Sequence, residues 1–186
     1  RQDIILANIH LGNIYKSCGN YTKAIEVNKN ILNIDKHNVN ASYNLAMCYL
    51  FIKEYDLGWI FHEKRFDLEN LILLKQMDQN MKKPRWDNSR PWSNILIWAE
   101  QGIGDQILYS QLIDNIKNKF NKITLAVNYK LISFFKKLYQ NIEIIDYRKI
   151  DDFDDYDYHL PMGSLGLYFQ KFFKVENLNN YNGYNQ

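Results

Sequence analysis

"ILIWAEQGIGDQILYSQLI", residues 95–113, decides the fold. Its first five residues are apolar without a break, as in a strand covered on both faces. Gly102 and Gly104 follow, and then Ile107, Leu108, Leu112, Ile113 and Ile116 recur at helical spacing over residues 105–119. A strand that passes through glycines into a helix opens a βαβ unit. Asp105 stands at the helix entrance. It is either a cap, since aspartate is favoured at helix starts, or a carboxylate offered to a ligand, and the spacing leaves both open.

The same alternation continues downstream. "KITLAV" (122–127) reads as a second strand, "LISFFKKLY" (131–139) as a helix and "IEIID" (142–146) as a third strand. "YDYHLPM" (156–162) is a fourth strand and "LGLYFQKFF" (165–173) a closing helix. Such alternation predicts a parallel sheet with right-handed crossovers. Ligands of open parallel sheets sit beyond the carboxyl ends of the strands, where Gly102 and Gly104 lie. A dinucleotide fingerprint fails, because Ile107 occupies the third glycine position and Asn128, not an acid, closes the second strand. A GxxxxGK[ST] phosphate loop is absent too. The acidic run "DDFDDYDY" (151–158) lacks a DxDxDG spacing and reads as a solvated lead-in, so no metal site is expected.

Upstream, "DQNMKKPRWDNSRPWSN" (78–94) breaks the helical period with prolines and charges. Trp86 and Trp92 are expected to pin this segment onto the following unit. The first third matches itself at an offset of 34: Leu11, Gly12 and Tyr15 fall on Leu45, Ala46 and Tyr49, while Tyr21 and Ala24 fall on Tyr55 and Gly58. Small residues there let paired helices approach, and Gly19 suits the turn between them. This pattern resembles the tetratricopeptide repeat. Lys36 replaces that family's usual proline, and Lys53 replaces the turn glycine of the second repeat. "LENLILLKQM" (68–77) reads as the next helix.

The repeat resemblance implies a peptide- or protein-binding concave face, with Ile9, Asn13, Tyr43, Met47 and Phe51 as its candidates. Asn13 and Asn44 match the family's carboxylate-clamp asparagines, but Ile9 stands where the first clamp lysine belongs, so an apolar contact is expected instead.

With 186 residues, 46% hydrophobic and 24% charged, the chain can fill one ordinary domain or two small ones. A net charge of +2 gives no support to a nucleic-acid surface. No apolar run reaches the roughly 18 residues of a membrane span. Cys18 and Cys48 show no CxxC spacing and are expected to be buried and reduced. With no signal-like apolar segment, this gives cytoplasmic residence as the expectation. The missing start methionine suggests a fragment.

Several motifs together resemble bacterial proteins that fuse tetratricopeptide repeats to a heptosyltransferase-like glycosyltransferase domain. Gly58-Trp59, Phe61-His62-Glu63 and Arg65-Phe66 match that family's "GW…YE.RW"; Pro84 to Asp87 match "P.WDG"; Glu100 to Asp105 match "EQGLGD". "YDYHLPMGSLGLYF" (156–169) is similar to "FDLHCPLMSLPLAF". The resemblance covers residues 5 to 170 or so. It implies a GT-B architecture, in which two Rossmann-like halves face each other across a cleft. Helical repeats over 1–77, a packed linker over 78–93 and the acceptor-side half over 94–186 are then expected. Only about 90 residues follow position 94, room for one such half. The implied reaction moves a sugar from a nucleotide-sugar to a hydroxyl of a sugar or protein acceptor, without a cofactor. Asp105 is the implied base, and Gly102, Gly104, Gln101, His159 and Ser164 are the implied substrate contacts. Glu100 is expected to order the loop. The alternative is a non-catalytic protein-interaction module with a degenerate α/β part.

Overall fold

The computed structural model describes residues 2–100 and 102–169. The chain divides after Lys75 into two compact units.

The first unit is helical: α1 Gln2–Ser17, α2 Tyr21–Ile34, α3 Val39–Phe51 and α4 Tyr55–His62. Asn20 and Asn38 cap α2 and α3, accepting from the amides of Lys23 and Ala41. The four small residues matched at the 34-residue offset, Gly12, Ala24, Ala46 and Gly58, are all buried. A Cβ on Gly58 would lie 2.7 Å from Leu50 Cδ2 and 3.0 Å from the Leu50 backbone nitrogen, so α3 and α4 touch where only glycine fits. The two hairpin turns are alike. Gly19 has φ 75° and Lys53, 34 positions on, has φ 67°.

The segment matched to "GW…YE.RW" closes this unit as a buried knot. Trp59 meets the His62 ring edge-on at 5.3 Å. Arg65, fully buried, donates to Glu63 Oε1 at 2.9 Å and to the His62 carbonyl at 3.2 Å, and stacks 4.2 Å from the Phe66 ring centre. Two short 3₁₀ turns over 63–71 then lead into α5, Ile72–Asn80.

The second unit is built on a four-stranded, all-parallel sheet in the order β3-β2-β1-β4, with β1 Asn94–Trp98, β2 Lys122–Val127, β3 Glu143–Asp146 and β4 Tyr158–Pro161. Ile95 to Trp98 are almost wholly inaccessible, as a strand paired on both edges and covered on both faces requires. The helices are α6 Ile103–Ser110, α7 Ile132–Leu138 and α8 Leu165–Phe169. α6 is shorter than the helix expected over 105–119. After Ser110, whose hydroxyl donates to the Ile107 carbonyl at 2.8 Å, the chain continues in 3₁₀ turns through a stretch rich in Asp and Asn, residues that favour local turns over helix.

Part of the junction belongs to this sheet. Pro84 to Trp86 run along the open edge of β4: the Trp86 amide donates to the His159 carbonyl at 2.9 Å, and the His159 amide to the Pro84 carbonyl at 3.1 Å. Trp86 is buried against Phe120 and Tyr168. Trp92 corrects the expectation that both tryptophans pin the segment. Its indole is 64% exposed, and only its backbone is held, the amide donating to the Lys119 carbonyl. Cys18 corrects another: both cysteines are free, but Cys18 is exposed and only Cys48 is buried, its thiol pKa raised by that burial. Among the described residues, no helix is long and apolar enough to cross a membrane.

Candidate functional site

Strand order changes direction at β1, which pairs with β2 on one side and with β4 on the other. The crevice between the exits of β1 and β4 is the switch point where open α/β sheets hold ligands. Two chain segments meet there: Glu100 to Asp105 leaving β1, and Met162 to Ser164 leaving β4.

Gly102 is the N-cap of α6 and provides no side-chain cap. Gly102, Ile103 and Gly104 are exposed, and a Cβ on Gly104 would meet nothing within 4 Å. Neither glycine has positive φ, so the turn needs them for open backbone rather than for a left-handed conformation. Asp105 occupies the third position of the helix and is half-buried. Among the described residues its carboxylate makes no hydrogen bond or ion pair, and its Oδ2 lies 3.5 Å from where a Gly102 Cβ would be. Among the described residues, none donates to this carboxylate to make it a hydrogen-bonded cap. It stands in the positive field of the helix start beside accessible amides. Gln101 lies outside the described residues.

The remaining candidates are internal. His159 sits in the middle of β4, 2% exposed, and its Nδ1 accepts from the Trp98 indole at 3.1 Å. That bond needs the Nδ1 lone pair, so the ring is neutral and the 3.8 Å approach of Asp78 is not an ion pair. Burial, helped by the nearby Arg85 charge, lowers its pKa to about 4. Ser164 is buried, and its Oγ accepts from Arg85 Nη2 at 2.7 Å. Arg85 also reaches Asp78 at 3.5 Å. His159 and Ser164 are thus engaged inside the unit, His159 within β4 and Ser164 in the turn that leaves it and meets the exit of β1.

Two residues given no binding role are central. Glu100 Oε1 accepts the Gly163 amide at 2.5 Å, joining the exit of β1 to the exit of β4. Gln106, buried on α6, accepts the Asn128 amide at 3.0 Å, joining the same turn to the exit of β2. The loop-ordering role expected for Glu100 matches its bond to Gly163; nothing in the spacing pointed to Gln106.

Two sizeable hollows among the described residues of this unit lie elsewhere. One of about 650 Å³ opens between α6 and α7 beside Ile107, Phe134 and Leu138; another, of about 360 Å³, lies near Lys117 and Asn141, on the opposite rim of the sheet. The glycine turn is an open ledge. Among the described residues, no cluster of three or more His, Cys, Asp or Glu is placed to hold a metal ion.

In the helical unit, Ile9, Asn13, Tyr43 and Met47 are half-buried on α1 and α3, and Phe51 is 67% exposed with its ring stacked 4.2 Å from Tyr21. Asn44 is buried and accepts from Lys16 Nζ at 2.7 Å, so it is engaged internally. No protein-family model and no curated protein matches this chain.

Proposed function

We propose that this chain supplies the acceptor side of a heptosyltransferase-like, GT-B sugar transferase, joined to tetratricopeptide hairpins that bind protein. One observation carries the reading: the Asp105 carboxylate, unbonded among the described residues, stands at the switch point beside the exposed Gly102–Gly104 backbone. A sugar hydroxyl is a weak nucleophile. A carboxylate within hydrogen-bond reach takes its proton as the new anomeric C–O bond forms and the nucleoside diphosphate departs. The accessible amides of the turn and the field of α6 suit sugar or phosphate oxygens.

The donor nucleotide-sugar belongs, on this reading, to a second α/β half facing the ledge, so the 186-residue chain alone is expected to give no turnover. In the full-length gene product, Asp105→Asn should lower transfer about 10²- to 10⁴-fold with unchanged circular dichroism and melting temperature. Transfer at the wild-type rate would remove the assignment. The second reading, a protein-interaction module, is favoured by the exposed Phe51 and its apolar neighbours on α3. It expects Asp105→Asn to be silent in cells and Phe51→Ala to abolish function.

A further inference from the structure

We propose that Glu100 and Gln106 are positioning residues, two side-chain tethers that hold the Gly102–Asp105 turn between the exits of β4 and β2. Its bearing on catalysis rests on the transferase reading; the tethering itself does not.

A turn with two glycines in ordinary conformations has more freedom to lose than any other backbone. Among the described residues nothing lies within 4 Å of a Cβ placed on Gly104, so side-chain packing there does not hold it. Apart from the backbone hydrogen bonds of α6, the turn's order comes from its flanks. On one side Glu100 makes a charge-assisted bond to the Gly163 amide, stronger than a neutral one. The approach is so close that a Cβ on Gly163 would lie 2.5 Å from Glu100 Oε1 and 3.2 Å from Tyr109 Cε2 of α6, so the exits of β1 and β4 and α6 converge at Gly163. On the other side the Gln106 amide oxygen binds the Asn128 backbone. Asn128 is fixed in turn, its side chain accepting from the Lys130 amide at 3.0 Å. Asp105 lies between the two tethers, next in sequence to one of them. A base displaced by about 1 Å loses on the order of 100-fold in rate, which is what two such ties would prevent.

The test is ¹⁵N relaxation on the whole chain, reading the amides of Gly102, Gly104 and Asp105. Wild type should give order parameters of about 0.85, and Glu100→Ala and Gln106→Met values below about 0.6. Glu100→Gln, which keeps an acceptor oxygen for Gly163, should restore the rigid value. In the full-length enzyme, Glu100→Ala should lower kcat roughly 10- to 100-fold with acceptor KM within about 2-fold, again rescued by Glu100→Gln. Unchanged order parameters in both tether variants overturn the proposal. Should Glu100→Ala not fold, Gln106→Met carries the same decision: full rigidity of the three amides in that variant overturns it. A silent Asp105→Asn would end the transferase reading while leaving the relaxation result to stand or fall by itself.

Discussion

Lys53 holds φ 67° at the turn where the first hairpin has Gly19 at 75°. A side chain in the left-handed region costs on the order of 1 kcal/mol, which glycine avoids. Lys53→Gly should therefore raise the melting temperature by a few degrees, measured calorimetrically, and a lowered value would contradict the shared turn. The offset of 34 made this turn legible despite the wrong residue in it. His159 was legible as a residue of the fourth strand and, through the resemblance, as an implied substrate contact. Its burial comes from Trp98, 61 residues away in sequence, and Arg85 reaches Ser164 across 79, ties that no local spacing reveals. The neutral imidazole has a sign-definite consequence. Its folded pKa of about 4 lies below the unfolded value of about 6.5, so the unfolded chain binds more protons between those limits. Stability is complete above pH 6.5 and should fall by about 2 kcal/mol between pH 7 and 4.5 from this group alone. Urea titrations should show that slope reduced in His159→Asn.

Among the elements, close approach makes two glycines unequal. At Gly58 an added Cβ meets the Leu50 backbone, which cannot yield. At Gly12 it meets only the end of the Asn28 side chain, 2.8 Å away. Gly58→Ala should cost roughly 1–3 kcal/mol and Gly12→Ala clearly less, by chemical denaturation. Equal costs would contradict the packing. Strands were easier to read than helix ends. "KITLAV" is the observed β2 residue for residue, because its β-branched and apolar residues suit a buried strand. Hydrophobic spacing continued past Ser110 and suggested an unbroken helix, whereas the Asp- and Asn-rich backbone there prefers 3₁₀ turns. The glycine turn was evident from residue types; its two ties to neighbouring strands depend on which strands are adjacent.

Across the molecule, tryptophan environment offers a simple measurement. Trp59, Trp86 and Trp98 are buried and Trp92 is exposed. Acrylamide should quench one fraction of the fluorescence readily, and Trp92→Phe should remove that fraction without altering stability. Persistence of an accessible fraction would contradict the burial of Trp59, Trp86 or Trp98. The order of elements was legible throughout, helices followed by an α/β unit with an all-parallel sheet, since the change of hydrophobic period near residue 94 separates the two.

The two flanks of that sheet carry a last implication. On one, Pro84 to Trp86 already occupy β4; on the other, β3 is four residues long, with Glu143 and Asp146 at its ends. Neither offers a foreign strand a long, flat template. Lateral growth into fibrils is therefore discouraged, and concentrated samples should stay clear of thioflavin-positive aggregates for as long as the Trp86 indole keeps its seat.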